Sequence, residues 1–362
     1  MIRFRNILSS LTVVIVTSTI AACTPPLPPE LQAQLADNSI NCGSAPVTVS
    51  SSPSMTPILE QWSNDYLTLC PNAGATFSTE GDGLVADVAV TNSSTPPATC
   101  ESTSTLPIFV GSVSIVLSLQ GLDGMILDAP TLSGIINGEI TSWSDPQIVA
   151  INPQFDPIDL PVNLSTVITK SDADAIDAWM SRLSPETWKG FPSTFTFTDS
   201  FDETNPPTQI YEDGGISFVP FSFASMSGLQ SALIKVDPAL EAVPSALENI
   251  ASAASQLSVS TSDSPLETAL DATKSPVPAP GFDVALDPYQ AIVVNFAHVC
   301  SGGSDLDSKS FIRFGLRTSS QALLVNYGYF ELPTDVRGVA LELVSRGLPS
   351  PSPLEPDTAA TP

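Results

Sequence analysis

The chain has 362 residues, enough to bury a sizeable core and to form two domains or lobes. It carries 38 acidic residues against 12 lysines and arginines, which leaves a formal net charge of −26 at pH 7. Such a field repels nucleic acid and bare anionic membrane surfaces, so the composition disfavours a nucleic-acid-binding function. An acidic, lysine-poor chain rich in Ser, Thr and Pro is typical of exported proteins.

The N-terminus has the pattern of a lipoprotein signal peptide over residues 1–22. Two arginines precede an apolar run, residues 7–20, that is short for a membrane span. Small residues then lead into Cys23, as in a bacterial lipobox. We expect Cys23 to carry a diacylglycerol and to anchor the protein to the outer face of the cytoplasmic membrane, in the cell envelope. The alternative is an ordinary signal peptide cut near Ala22, with Cys23 incidental.

Residues 23–43 are rich in proline and predict a flexible tether. The other cysteines, Cys42, Cys70, Cys100 and Cys300, lack metal-type spacing, and an even number in an exported protein suggests two disulfides. Three pairings are possible. We favour Cys42–Cys70, because the two ends of a strand–helix unit can meet, and Cys100–Cys300 then follows.

Strands and helices alternate in the first part of the chain. Strands are predicted at 46–50, 75–78, 86–91, 106–110 and 113–119. A helix follows the first strand, with Pro57 at its first position and an apolar face of Ile58, Trp62, Tyr66 and Leu69. This alternation predicts an α/β fold.

The second part continues the pattern. Strands are predicted at 162–169, 214–221 and 289–299, and helices from Ser171 onward, at 310–329 and at 332–344. The Ala-, Ser- and Pro-rich stretch 238–280 predicts weakly helical loops. Residues 347–362 predict a disordered tail.

Residues 131–153 carry the most specific pattern in the chain. They predict a short helix that stops at Gly138, a loop around Trp143, a second helix that starts at Pro146, and an Asn-Pro exit at Pro153. This segment resembles a signature of the PstS-like phosphate-binding proteins of ABC transporters. Four further pieces resemble the same family in order, at 57–66, 214–219, 287–295 and 328–333.

The resemblance covers residues 44–346. It implies a two-lobed, periplasmic-binding-protein-like α/β fold, with a second lobe at roughly 110–285 and a ligand cleft between the lobes. It also implies a solute-binding protein that delivers a small ligand, phosphate by family default, to an ABC permease. The alternative is a degenerate family member that acts as a cell-envelope interaction or scaffold protein without binding phosphate.

The family holds phosphate with hydroxyls, backbone N–H groups and helix N-termini, which suit an anion. In the first matching loop, Ser52 and Ser54 keep their hydroxyls, although Pro53 removes one N–H. A plain capping loop is the alternative for this segment. The glycine-rich second loop has lost its helix, with Asp82 near the missing serine, and Asn92 replaces the Asp that accepts the phosphate proton.

The last matching piece is the strand-to-helix turn at 170–176. Lys170 replaces the bidentate Arg of the family, and Asp174 replaces its serine. Ser171 and Asp174 predict a capping box, whose carboxylate would occupy the helix N–H groups and repel a dianion by ~1–4 kcal/mol per charge at about 4 Å. The resemblance thus assigns ligand binding to a set of five residues: Ser52, Ser54, Asn92, Lys170 and Asp174.

Other chemistry has little support in the sequence. Asp82, Asp172 and Asp174 offer the oxygen ligands that Ca²⁺ prefers, but solvated helix caps are the favoured interpretation. His298 is the only histidine, and it lies in an apolar strand, as a core histidine would. No catalytic triad, zinc motif or phosphate-binding glycine loop is visible, so we predict no enzyme activity, no metal and no cofactor.

Overall fold

The computed structural model describes residues 27–79, 85–260, 268–278 and 283–354. The predicted signal peptide, Cys23 and the glycine-rich loop with Asp82 lie outside these residues. Within the described ranges, no helix combines the length and the apolar character needed to cross a bilayer.

The strands are β1 (Ser39–Ile40), β2 (Val47–Ser51), β3 (Ala75–Thr79), β4 (Val88–Thr91), β5 (Ser102–Ser118), β6 (Ile126–Asp128), β7 (Asn163–Leu164), β8 (Val167–Thr169), β9 (Thr196–Thr198), β10 (Gly215–Pro220), β11 (Leu233–Lys235), β12 (Leu257–Val259), β13 (Thr268–Leu270), β14 (Ile292–Cys300) and β15 (Ser352–Pro353). The α-helices are α1 (Pro29–Asp37), α2 (Thr56–Leu69), α3 (Ala129–Ile136), α4 (Pro146–Ile151), α5 (Lys170–Leu183), α6 (Phe221–Met226), α7 (Leu247–Ala254), α8 (Asp305–Gly315), α9 (Thr318–Gln321) and α10 (Thr334–Ser345). Short 3₁₀ turns lie at Thr208–Ile210 and Leu324–Tyr327. The mixture of helices and sheet confirms the predicted α/β class.

One long strand connects the two lobes. The largest sheet of the described residues has the order β3-β2-β4-β14-β5-β10-β7. The N-terminal part of β5 pairs with β14, and its C-terminal part pairs with β10, both in antiparallel register. The first lobe therefore lies on the β14 side of β5 and the second lobe on the β10 side.

The prediction of two strands at 106–110 and 113–119 is wrong, because β5 runs without a break over 17 residues. The segment between them does not turn: Gly111 pairs with Val293, and Ser112 pairs with Ile292. Glycine permits a turn but does not require one, and here the neighbouring strand β14 keeps the backbone extended.

The helix predicted from Pro57 packs the first lobe. Its side chains Ile58, Leu59, Trp62 and Tyr66 are all at most 2% exposed. The indole Nε1 of Trp62 donates a hydrogen bond to the Ser320 carbonyl oxygen at 2.9 Å, so the buried ring is also satisfied. Leu69 departs from the predicted apolar face and is 43% exposed, because the helix ends there.

The segment 131–153 adopts the predicted arrangement of helix, loop and helix. Gly138 has a φ of +73°, and α4 begins at Pro146, with Asp145 accepting a hydrogen bond from the Gln147 N–H. Trp143 is buried, and its Nε1 donates to the Gly214 carbonyl oxygen at 2.9 Å. This bond fixes the loop to the residue that precedes β10, so the segment holds the second lobe together.

Two predictions about the termini are wrong for the residues that the structure describes. The tether predicted at 23–43 contains the helix α1 and the strand β1, and α1 packs against α10 through Ala33 and Ala36. The tail predicted at 347–362 contains β15, which pairs with β1 in antiparallel register. The first segment is ordered by the contacts of α1 with α10 and the second by the pairing of β15 with β1, which local composition does not encode.

Two further segments differ from prediction. The stretch 238–280 contains α7, whose apolar side packs into the core with Ile250 fully buried, and the antiparallel strands β12 and β13. The helix predicted at 310–329 is broken after Gly315 into α8, α9 and a 3₁₀ turn. The extended residue Arg317 marks the break, and its Nη2 donates to the Asp37 carbonyl oxygen at 3.0 Å.

Both favoured disulfides are present. Cys42–Cys70 joins the segment before β2 to the C-terminal end of α2, over a sequence separation of 28 residues. Cys100–Cys300 joins the segment before β5 to the last residue of β14, over a separation of 200 residues. The second bond ties the loop after β4 to the central sheet, and this loop borders the candidate site.

Candidate ligand-binding site

A small cavity of about 40 Å³ lies between the lobes, and we call it the inner cavity. It has room for a few water molecules or a small ion, since one water needs roughly 10–15 Å³ on this measure. Its lining comes from both lobes and from the middle of β5: Ser52, Ser54, Met55, Val90, Thr91, Asn92, Gly111, Ser112, Thr169, Asp172, Ser200, Phe201, Pro220, Ser222, Val293, Asn295, Gly328 and Tyr329.

The first lobe contributes the loop between β2 and α2. The Ser52 and Ser54 hydroxyls lie 3.1 Å apart, and both residues line the inner cavity, where the sequence analysis placed them. The Ser52 carbonyl oxygen accepts from the Met55 N–H at 3.1 Å and from the Thr56 N–H at 3.2 Å, so the chain turns directly into α2. The start of a 14-residue helix with two hydroxyls therefore faces the cavity.

Asn92 follows β4 and lies at the rim of the inner cavity. It also lines a larger, open groove of about 910 Å³, which we call the outer cleft. The preceding residue, Thr91, is held by His298, whose Nε2 lies 3.0 Å from the threonine Oγ1. The end of β4 is thus fixed from behind, and this position supports the predicted location of Asn92.

The start of α5 differs from the predicted capping box. The N-cap residue is Thr169, whose Oγ1 accepts a hydrogen bond from the Asp172 N–H at 3.1 Å. Asp174 does not cap the helix. Its side chain is 62% exposed and pairs with Lys170, which is 64% exposed.

Lys170 and Asp174 consequently lie apart from the other predicted ligand-binding residues, Ser52, Ser54 and Asn92. Both line the outer cleft, and neither lines the inner cavity. The charges expected to decide anion binding therefore satisfy each other on the surface, where such a pair contributes little to stability.

Asp172 lines the inner cavity, although the sequence analysis named it only as a possible Ca²⁺ ligand and not among the five predicted ligand-binding residues. It is 4% exposed, and its Oδ2 has no hydrogen-bond partner. Burial raises the pKa of this carboxyl from 3.8 to about 7, opposed by a smaller effect of the hydrogen bond with Thr169. Helical spacing offered a signal, because Asp172 lies four residues before the buried Ile176 and seven before the buried Trp179.

Tyr329, from the C-terminal part of the chain, also lines the inner cavity. Burial raises its pKa to about 12, and a hydrogen bond with Ser54 opposes this shift. Glu203 also interacts with Ser54, and burial raises the pKa of its carboxyl. Tyr329 is positioned by Gly328, which has a φ of +73° and packs against the backbone of Ser222.

The inner cavity combines hydroxyl, amide and carboxyl groups with a larger apolar surface, and its described lining carries no positive charge. No lysine, arginine or histidine belongs to its lining in the described part of the chain. The hydroxyls of Ser52, Ser54 and Thr169 and the amides of Asn92 and Asn295 are possible donors, while Asp172 supplies the carboxyl group. Such a set can hold a small polar solute or an oxyanion through hydrogen bonds, without a cationic clamp.

The sequence is similar to those of known phosphate-binding proteins. No family model matches the chain. It is 30% identical over 224 residues to the phosphate-binding protein PstS 2 of Mycobacterium tuberculosis, a match that covers 54% of this chain and 60% of that protein. It is 25% identical over 256 residues to PstS 3 of the same organism, covering 64% of this chain and 63% of the relative. The matches thus span less than two thirds of these relatives.

Solved structures agree on the fold. A putative phosphate ABC transporter substrate-binding protein with bound phosphate from Clostridium perfringens has a TM-score of 0.50 at 13% identity, covering 79% of this chain and 99% of that chain. An ancestral soluble variant of the human phosphate binding protein has a TM-score of 0.55 at 14% identity, covering 82% and 93%. The chain is therefore PstS-like in sequence and has the two-lobed α/β fold of phosphate-binding proteins.

Proposed function

We propose that this protein is an extracytoplasmic solute-binding protein that holds a small oxyanion in the inner cavity and delivers it to an ABC permease. The observation that carries the proposal is the composition of the cavity: hydroxyls of Ser52 and Ser54 from the first lobe face Thr169 from the second. The two serines precede α2, and Thr169 precedes α5. Both helices have 14 residues, and the N-terminal ends of helices favour negative charge.

Phosphate is the first ligand to test, because the sequence relatives are named for binding it. The cavity volume of about 40 Å³ agrees with a small ion of that class. We assign ligand contacts to Ser52, Ser54 and Asn92. Lys170 and Asp174 belong to the outer cleft, where they can affect the path of the ligand but do not line the cavity.

We also propose that the protein is lipid-anchored through Cys23 after removal of residues 1–22. The first helix, α1, begins at Pro29, so only a short segment would separate the acyl chains from the folded body. A solute-binding protein held this close to the membrane surface can reach a permease without free diffusion.

A titration tests the ligand assignment. The chain without its signal peptide and lipid-bearing cysteine, residues 24–362, is titrated with phosphate by calorimetry at low salt. We expect binding in the micromolar range, and we expect the double variant Ser52→Ala, Ser54→Ala to weaken it by at least about tenfold, since two hydrogen bonds to a charged ligand are lost.

The matched control is Ser142→Ala, Ser144→Ala. These two hydroxyls also lie two residues apart and contact each other at 2.8 Å, but they do not line the inner cavity. Unchanged binding in the Ser52 and Ser54 variant would remove the cavity from the proposal. Absence of heat with phosphate and with sulfate would reject oxyanion binding altogether.

One observation favours the second candidate, a degenerate relative that acts as an envelope interaction or scaffold protein. Asp172 places a carboxyl inside a cavity that has no cation in its described lining. If that carboxyl stayed ionised, a dianion would be repelled. A protein that binds no oxyanion from about pH 6 to about pH 8 would support this alternative.

A further inference from the structure

The carboxyl group of Asp172 lacks any neutralising partner. Its Oδ2 accepts no hydrogen bond, although the residue is 4% exposed and lines the inner cavity. A buried carboxylate without a partner is unfavourable, so such groups bind a proton, a cation or a ligand. Asp172 therefore places an unsatisfied acidic oxygen in the lining of the inner cavity, whereas Glu203, whose Oε1 is also buried without a partner, lies behind Ser54 and does not line it.

The charged groups around Asp172 do not alter this conclusion. On its own helix, Lys170 and Asp174 satisfy each other on the surface. From the other lining segments, the titratable groups near the cavity are Glu203 and Tyr329, an acid and a phenol, which add no positive charge. Asp199 lies farther out, in the lining of the outer cleft.

The start of α5 favours one negative charge, and the cavity can hold only a small ion. An ionised Asp172 and an oxyanion would compete for the same donors and would repel each other. A neutral Asp172 removes the repulsion and turns the unsatisfied oxygen into part of a donor, because a protonated carboxyl has one O–H.

We propose that Asp172 is a ligand-binding residue that holds the anion as a neutral acid: its O–H donates a hydrogen bond to the ligand, and ligand entry takes up one proton from solvent. This inference rests on the proposed oxyanion-binding function. In this binding step the ionised carboxylate, one proton from solvent and the anion form a complex in which Asp172 carries the proton.

Near neutral pH this protonation costs little free energy, because burial raises the pKa of the carboxyl to about 7. Anion binding should then weaken as the pH rises. With one linked proton and that pKa, the affinity falls about tenfold between about pH 6 and about pH 8.

Sulfate is the decisive probe, because its charge stays constant in this range whereas phosphate itself titrates. The same chain, residues 24–362, is titrated with sulfate and with phosphate at about pH 6 and about pH 8, in two buffers of different ionisation enthalpy that report the number of protons taken up. We expect both anions to bind, and we expect sulfate to take up about one proton at the higher pH.

The variant Asp172→Asn keeps the size of the side chain and a donor N–H. It should bind sulfate with the same affinity at both pH values and take up no proton. Asp305→Asn is the control, because Asp305 also lies in the first turn of a helix, α8, but is exposed and does not line the cavity. It should keep the roughly tenfold pH dependence.

The outcomes separate the two proposals. If neither anion binds, the proposed function fails and this inference fails with it. If phosphate binds while sulfate does not, or if binding takes up no proton, oxyanion binding stands and the neutral-acid role is overturned. Phosphate-only binding would instead indicate that an ionised Asp172 accepts a proton of the ligand.

Discussion

His298 holds Thr91 at the edge of the candidate site: its Nε2 lies 3.0 Å from the Thr91 Oγ1, and its Nδ1 lies 2.9 Å from the Thr105 Oγ1. The ring is fully buried between β4 and β5. It therefore supports the strand end that carries Asn92, and it does so as a core residue, in agreement with the sequence analysis.

The protonation of His298 should make the protein less stable in acid. Burial lowers the pKa of His298 from 6.5 to about 4. Between these pH values the imidazole is protonated in the unfolded chain and neutral in the folded chain. Stability is thus lost as the pH falls from 6.5 toward 4, by about 3 kcal/mol from this group.

The measurement is urea unfolding of the wild type and of His298→Gln at about pH 7 and about pH 4. We expect the stability advantage of the wild type to shrink by about 3 kcal/mol at the lower pH. His298 is the only histidine in the chain, so the carboxylates contribute equally to both proteins. A difference that does not change with pH would contradict the neutral, buried state of the ring.

Replacement of Gly328 should disturb the inner cavity through its backbone. A Cβ at this position would lie 2.7 Å from the Ser222 Cα, and the residue has a φ of +73°. Gly121 has a φ of +76° but open space around the same atom, so Gly121→Ala measures backbone strain alone.

We expect Gly328→Ala to lower the free energy of unfolding by about 1–3 kcal/mol more than Gly121→Ala does, and to weaken phosphate binding because Tyr329 moves. Thermal unfolding and calorimetry measure the two effects. Equal losses of unfolding free energy in the two variants would mean that contact with Ser222 adds no cost at position 328.

Asp37 should be needed to dock α1 on the first lobe. Its carboxylate accepts from the N–H and the hydroxyl of Thr318 at 2.7 and 2.6 Å, and it lies 3.7 Å from the Arg337 Nη1. Asp37→Ala leaves the largely buried Arg337 guanidinium without this charge, so we expect a loss of about 2–4 kcal/mol.

Glu342→Ala is a matched control, because the Glu342 side chain is 30% exposed, as is that of Asp37, but its partner Arg346 is 66% exposed. We expect a change below about 1 kcal/mol for this variant. Similar losses in both proteins by chemical unfolding would show that the Asp37 contacts do not hold α1.

Under the proposed lipidation, Cys23→Ala should release the exported protein from the membrane fraction, because the acyl chains that it loses would contribute ~0.8 kcal/mol per buried methylene. Cell fractionation followed by immunodetection measures the distribution. A variant that remains in the membrane fraction would exclude anchoring through this cysteine.

The site shows which signals a sequence carries. Ser52, Ser54 and Asn92 follow strand ends, and in an α/β sheet such positions meet at one edge, so their joint location at the inner cavity could be predicted. Helical spacing to Ile176 and Trp179 could have marked Asp172 as the inward-facing residue, but the match to the family motif alone did not separate it from Asp174. The structure separates them because the helix starts at Lys170, which turns Asp172 toward the core and Asp174 toward solvent.

The sequence by itself determined the alternation of strands and helices in the body of the chain and the segment around Trp143, because these depend on local periodicity and turn residues; it favoured the disulfide pairing without deciding it, since Cys100 and Cys300 lie 200 residues apart. Only the tertiary structure decided that residues 106–119 form one strand, that α1 and β15 pack on the body, and that Asp172 enters the cavity. Those features depend on contacts between segments far apart in the chain, and their energy comes from burial that no local window contains.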